Sequence, residues 1–411
     1  MASTSHPKKW HHPSQDHWLQ GRQAQAIQTL IAHLNTLGST KPVDMLQQLA
    51  YYFYGQQDYR SAATITAQAL AQCPDDPAIL ANMATCCSKA GQLEQAVEYA
   101  RKAARLQADN ALAWDVLAAS LRRIGQLEEA REAGSTSLRI KDQAQPSATP
   151  GWQLPAGKPS ELALQSGKQH VIAFSLWGKQ PRYLLGLLQN ALMAPVIYPG
   201  WELRCYLDDS VPADYVIALE QLGVDVRRQP AGQSLRERLC WRFQVANDPG
   251  VGYFLCRDAD SVINPREEQA VREWLDSGRW FHTMRDWWSH TDLMLAGMWG
   301  GVAGVLPPLA PMLLAYHSGA VETANIDQWF LRDRVWCMVR QSCLIHDRCF
   351  SLHDSQPMPC LQPGQTDHVG MDMTAVMPGR QLRILAPWIR ELACLAPLRP
   401  ALQQVLQHAA G

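Results

Sequence analysis

An apolar run, Tyr253-Phe254-Leu255-Cys256, ends abruptly in Arg257-Asp258-Ala259-Asp260-Ser261. Two carboxylates at i and i+2 on an extended chain point to the same side, within reach of one cation. Carboxylates are hard oxygen ligands suited to Mg²⁺ or Mn²⁺. An ion held there can bridge a diphosphate and offset the charge that builds on a departing nucleotide. The plainer alternative is a strand that leaves the core through a solvated turn. A second group, Cys343, His346, Cys349 and His353, has spacings of the kind that bind zinc. All four lie in one short segment, however, with no second pair to close the loop.

The acids need elements to place them. "HVIAFSLWG" (170–178) reads as an apolar strand running into a glycine-ended turn, and Pro181–Met193 as a helix with Tyr183, Leu184, Leu187, Leu188 and Leu192 on one side. "ELRCYLDD", "VDVRRQ" and "GYFLCRDAD" read as further strands, with "PADYVIALEQLG" and "SLRERLCWRFQVAND" as the helices before the second and third of these. Strand and helix in alternation argue for a mostly parallel sheet covered on both faces, which suits the continuously apolar Tyr253–Cys256. Ligands of such sheets collect at the carboxyl ends of the strands, and there the two acids fall.

The front of the chain has a different rhythm. Segments starting near Val43, Pro77 and Ala111 superimpose at a period of about 34 residues. Leu46, Leu80 and Trp114 are equivalent, as are Leu49, Met83 and Leu117, then Ala50, Ala84 and Ala118, and in each second helix Ala62, Ala96 and Ala130. Gly91-Gln92-Leu93 and Gly125-Gln126-Leu127 mark tight turns, where the first unit has Gln57-Asp58-Tyr59. Ala24–Leu34 supplies a preceding helix. These units resemble tetratricopeptide repeats, which stack to bury their apolar faces and leave a concave groove for a protein or peptide. Trp114 and Tyr99 read as packing between repeats. The helical domain is therefore set at 17–144, a Pro/Ser/Gln/Gly-rich linker at 145–169, an α/β domain at 170–380 and a helical tail at 381–411.

Composition narrows the function. A net charge of -1, with 47% hydrophobic and 18% charged residues, argues against a nucleic-acid binder. Met1–Gln20 is polar and His-rich, without the apolar core of a secretory signal, and no window approaches the ~18 apolar residues of a membrane span. Eleven scattered cysteines without a Cys-x-x-Cys suit a reducing cytoplasm.

The segment from about Val171 to Asp372 resembles the nucleotide-sugar-dependent glycosyltransferases of the GT-A fold, with their Asp-x-Asp motif. More narrowly it resembles a bacterial and marine set of glycosyltransferase-like proteins through "FSLWG", "NALMAPVIYPGW", "WRFQVANDP", "RDADS", "REEQAVREWL", "FHTMRD", "LAGMWG", "DQWFL" and "IHD". The resemblance implies a Rossmann-like sheet domain, Mn²⁺ or Mg²⁺, a nucleotide-sugar donor of the UDP-sugar kind, and transfer to a protein or glycan acceptor recruited by the repeats. It implies that Asp258 and Asp260 hold the metal and that His346 completes the site, against a hydrogen-bonded core histidine as the other reading. It implies that Asp327-Gln328 lies beside the reacting sugar, Asp327 orienting it or acting on the acceptor hydroxyl; the other reading makes Asp327 a cap for the helix carrying Trp329, Phe330 and Leu331. Arg242 and Arg257 would meet phosphate or base. Phe174 and Ser175 would seat the nucleoside, and Arg285 and Asp286 the sugar. Gly297, Gly300 and Gly301 would allow a tight turn beside the sugar, and Trp287 and Trp288 would stack on it or pack in the core. Relatives often continue the motif with an arginine, where this chain has Val262. The alternative from a different class is an interaction scaffold whose transferase-like domain binds ligand without turning it over.

Overall fold

The computed structural model describes residues 9–318, 323–362 and 365–408; most of the polar start, Met1–Lys8, lies outside them. The chain divides into two compact units, with the break after Ala144.

The first unit is helical: α1 His12–Leu19, α2 Gln23–Thr36, then the pairs α3 Val43–Gly55 with α4 Tyr59–Gln72, α5 Pro77–Ala90 with α6 Leu93–Leu106, and α7 Ala111–Arg123 with α8 Leu127–Gln143. Each pair begins where the repeat period placed it. Ala62, Ala96 and Ala130 are wholly buried, as are Ala50, Ala84 and Ala118, so methyl groups let neighbouring helices approach closely. Asp58, Asp76 and Asn110 cap the following helices by accepting backbone N–H bonds. The turns between paired helices use a left-handed residue at the same phase, Gly91 and Gly125 with φ of 85° and, in the first pair, Gln57 with φ of 62°. A side chain there costs roughly 1–2 kcal/mol relative to glycine.

The second unit is a mixed eight-stranded sheet. Its elements in chain order are α9 Pro159–Ala163, β1 Gln169–Leu176, α10 Pro181–Ile197, β2 Trp201–Leu207, α11 Ala213–Gln221, β3 Asp225–Arg228, α12 Leu235–Cys240, a 3-10 segment Trp241–Asn247, β4 Val251–Arg257, α13 Pro265–Asp276, β5 Phe281–Arg285, β6 Met298–Val302, α14 Leu309–Leu314, α15 Ile326–Phe330, β7 Cys343–Asp347 and β8 Gln356–Pro357. The strand order is β3-β2-β1-β4-β6-β5-β7-β8. β3, β2, β1 and β4 run parallel, and β7 is parallel to β5. β6 runs antiparallel to both its neighbours. A wholly parallel neighbour needs a crossover, usually a helix, and none separates β5 from β6, so the chain returns antiparallel. Gly300 and Gly301, expected in a turn, lie within β6: a Cβ on Gly300 would fall 2.5 Å from the Phe254 carbonyl oxygen, and one on Gly301 2.6 Å from the Phe281 ring.

The stretch 145–169 is not a free tether but groups with the sheet unit. Trp152 Nε1 donates to the Val305 carbonyl at 2.9 Å. The Ala163 carbonyl of α9 lies so close over Gly252 that a Cβ there would stand 2.1 Å from its oxygen. Its polar composition concealed these few anchors. The helical segments from Pro378 to Gln407 also belong to this unit, through Gln381 on Gln189 of α10 and the Cys394 N–H on Asp214 of α11.

Candidate active site

The chain lays β1, β2 and β3 outward in one direction, then crosses back to place β4 on the other side of β1. Between the carboxyl ends of β1 and β4 the connections therefore diverge, and such a switch point leaves a crevice. Here it is a cleft of about 620 Å³ whose wall includes Ser175 and Trp177 from the end of β1, Asp258 and Asp260 after β4, and Asp327 and Gln328 of α15.

The acids stand in a turn rather than on extended chain. The Ser261 N–H donates to the Asp258 carbonyl at 3.2 Å, so the i, i+2 rule for strands does not set their directions. Packing sets them instead. A Cβ on Gly186 of α10 would meet the Ala259 carbonyl oxygen at 2.2 Å, and one on Gly297 would meet Asp258 Oδ2 at 2.0 Å. Asn190, fully buried on α10, clamps the far side of the turn: its Nδ2 donates to the Ser261 carbonyl at 2.8 Å and its Oδ1 accepts the Ile263 N–H at 2.9 Å.

Arg242 ties the cleft together. Its Nη1 lies 2.9 Å from Asp258 Oδ1, its Nη2 3.0 Å from Asp327 Oδ2, and its Nε donates to the Ala296 carbonyl at 3.2 Å. Its backbone N–H donates to Ser175 Oγ at 3.0 Å. Burial pushes the Asp327 carboxyl up to about 7, although Arg242 opposes the shift. Burial also raises Asp260, and the charge of Asp258 adds to that rise. Asp260 is met from across the cleft by Arg182 of α10.

Several expected residues lie elsewhere. Phe174 is buried in the sheet core, and its neighbour Trp177 reaches the cleft in its place. Arg257 points away from Asp258: its Nε is 2.5 Å from Glu267 and its Nη1 donates to the Cys256 and Trp299 carbonyls. Arg285 pairs with Asp347 at 2.8 Å under β5 and β7. Asp286 accepts the Val369 N–H at 2.7 Å and lies 3.1 Å from Arg266, while burial raises it to about 6. Arg257, Arg285 and Asp286 are all buried, and their polar groups are spent on these core partners. Trp287 stacks on His368, with centroids 5.0 Å apart.

His346 is not brought to the two acids. Its Nε2 lies 2.9 Å from Glu273 Oε2 and its Nδ1 2.9 Å from His282 Nε2, which makes it a hydrogen-bonded core histidine. Residues 343 and 346 stand three apart on β7 and so face opposite sides, which separates two of the four zinc-spaced residues. Among the described residues no group of three or more His, Cys, Asp or Glu converges as a metal cage. Asp327 is not the helix cap either: Asn325 holds that position, and Asp327 Oδ1 accepts the adjacent Gln328 N–H at 2.8 Å.

Sequence reasoning missed Trp177, Arg182 and Asn190. The signal for Arg182 was a cation in the first turn of a helix, where the dipole favours anions.

Asp258 and Asp260 are hard oxygen donors of the kind a divalent cation takes, and each is met by an arginine, Arg242 and Arg182. Two carboxylates share one wall, Asp258 is 45% exposed on it, and Gly297 is bare where a side chain would displace that carboxylate. A positive ion between the acids would relieve their mutual repulsion.

Comparison with known proteins agrees with the helical unit. The tetratricopeptide repeat family matches residues 53–120, so the front of the chain carries tetratricopeptide repeats ahead of a mixed α/β sheet domain. No curated protein sequence matches the chain. Among solved structures it is similar to a mutant O-GlcNAc transferase from Thermobaculum terrenum, at 17% identity and a TM-score of 0.39 over 59% of this chain. The chain spans 44% of that protein's length. It is also similar to MamA from Desulfovibrio magneticus RS-1 (19% identity, TM-score 0.29, 32% of this chain and 73% of the other). A third likeness is the Sgt2 TPR domain from Aspergillus fumigatus (26% identity, TM-score 0.24, 26% and 72%). Among the described residues no helix is long and apolar enough to cross a membrane.

Proposed function

We propose that the sheet unit is a GT-A-like glycosyltransferase that moves a sugar from a nucleotide-sugar donor to a protein or glycan acceptor recruited by the repeats. One observation carries this reading: the switch-point cleft faces two carboxylates, Asp258 and Asp260, and a third, buried carboxylate, Asp327, joined to Asp258 through Arg242. Asp258 and Asp260 would hold Mn²⁺ or Mg²⁺, which supplies positive charge to the donor diphosphate. Arg242 keeps Asp258 and Asp327 at fixed separation, and its own donors are occupied, so it positions rather than grips the donor. Trp177, on the cleft wall at the end of β1, offers a flat face to a nucleobase.

Asp327 acts as the base toward the acceptor hydroxyl. Its proton affinity, pushed up to about 7, suits it to accept a proton near neutrality. Gln328 beside it, also on the cleft wall, is placed to hydrogen-bond the sugar. Asp327→Asn keeps the shape and the Gln328 contact but removes the basic oxygen. Transfer should fall by a factor on the order of 10²–10⁴ with donor affinity within about threefold of the parent. Near-parental transfer would assign Asp327 to structure alone.

A further inference from the structure

The cleft wall carries a second arginine, Arg182, beside Arg242. Arg182 occupies the first turn of α10, directly after Pro181. A positive charge there opposes the helix dipole, so helix stability does not explain it. Its partners do. The guanidinium contacts Asp260 Oδ2, and its Nε lies 3.5 Å from Asp372 Oδ2. Asp372 is separately anchored, because its Oδ1 accepts the Thr374 and Ala375 N–H groups at 2.9 and 3.3 Å and its backbone bridges to Ser261.

The two cleft arginines differ in freedom. Arg242 is 3% exposed, with partners on every donor nitrogen, whereas Arg182 is 45% exposed and held by carboxylates alone. Its guanidinium also lies 4.8 Å from the centre of the Tyr183 ring, which itself lines the cleft. A divalent cation on Asp260 would stand within a few ångströms of the guanidinium, and repulsion between the two positive charges would weaken the hold of Arg182 on that carboxylate. That repulsion favours release of Arg182 from Asp260, with Asp372 remaining as its tether.

Resting on the transferase reading above, we infer that Arg182 is a partner-exchanging residue: it holds Asp260 in the metal-free cleft and turns to the donor diphosphate when Asp258 and Asp260 take a divalent cation. A released guanidinium forks onto phosphate oxygens with charge-assisted bonds. The α10 N-terminus beside it carries no side-chain cap and adds a favourable field for an anion. Arg182 thereby keeps the acid wall neutralised before metal arrives and supplies positive charge to the diphosphate afterwards.

The test is binding, not turnover. Free Mn²⁺ is titrated by electron paramagnetic resonance against the full chain and Arg182→Gln, and UDP and GDP are then titrated calorimetrically at saturating Mn²⁺. With its competitor removed, Arg182→Gln should bind Mn²⁺ about three- to fivefold more tightly. It should bind the preferred nucleotide at least about tenfold more weakly, the loss expected for charged hydrogen bonds. Unchanged affinities for both, in a parent that binds both, would overturn the exchange and leave the transferase reading standing. Tighter Mn²⁺ with undiminished nucleotide binding would overturn the turn toward the diphosphate. A parent that binds neither Mn²⁺ nor either nucleotide would overturn the transferase reading and this inference with it. Asp258→Asn serves as the reference for lost metal binding.

Discussion

The two units bury different chemistry. In the helical unit the interior is largely apolar, with alanines in phase at 62, 96 and 130; ion pairs such as Arg101–Glu129 stay at the surface, although Lys141 is buried against Asp115. Among the described residues of the sheet unit five arginines are buried, Arg204, Arg242, Arg257, Arg266 and Arg285, each against a carboxylate. One unit is held mainly by shape, the other by shape plus several buried charge pairs. Charge in the sheet unit also divides by position. Arg257 and Asp258 are adjacent, yet Arg257 pairs inward with fully buried Glu267 while Asp258 pairs into the cleft. The deep pair has no water to replace a lost partner, whereas the cleft pair can exchange partners with a ligand.

That contrast can be broken by substitution. The largest effect is expected for Glu267→Gln, which leaves Arg257 charged and unpaired in the core. It should cost the sheet unit about 3–5 kcal/mol, read by denaturant unfolding. Next comes Ala96→Leu, which adds volume where no space exists and should cost the helical unit about 1–3 kcal/mol while nucleotide binding is unchanged. If both substitutions weakened nucleotide binding equally, the division between the units would be wrong.

The pH dependence sharpens the comparison within the cleft. Burial raises the folded value of Asp327 to about 7, against the usual aspartate value of 3.8. Between those values the folded chain keeps a proton that the unfolded chain releases, so this contribution to stability falls as pH rises from about 4 to about 7. Asp327→Asn removes that dependence. Its melting temperature should draw ahead of the parent's across this range, with a slope of at most about 1.4 kcal/mol per pH unit. His282 and His290 act oppositely, because burial lowers them and their neutral forms lose stability as pH falls below the usual histidine value of 6.5. The smallest effect is expected for Arg101→Ala in the exposed pair with Glu129, within about 0.5 kcal/mol.

The repeats were legible because their rule is local: a period of about 34 residues fixes the helix starts, and the small residues recur in phase. β1 and β4 were legible for a similar reason, since strands covered on both faces are continuously apolar. β5 was not, because His282, Thr283 and Arg285 interrupt its hydropathy and are satisfied only by distant partners, among them His346 and Asp347. The site followed the same division. Two acids at a strand end could be seen in the chain, as could an acid at the start of the helix carrying Trp329 and Phe330, although Asp327 lies in its first turn rather than before it. The pairing of Arg182 with Asp260 spans 78 residues, that of Arg242 with Asp327 spans 85, and no local pattern encodes either. For His346 the choice between ligand and core histidine turns on Glu273 and His282, of which its neighbours in sequence say nothing.

The central claim is that Asp258 and Asp260 bind a nucleotide-sugar diphosphate through a divalent cation. The most direct measurement is the thermal shift of the full chain across a panel of UDP- and GDP-sugars, with and without Mn²⁺, repeated for Asp258→Asn and Asp260→Asn. At a hundredfold excess over the dissociation constant a true donor adds about 2.7 kcal/mol to the sheet unit. The account predicts that shift for one donor class, only with Mn²⁺ present, and its loss in both variants without a change in the unliganded fold. A donor that stabilises the parent and both variants equally, with or without Mn²⁺, would contradict it.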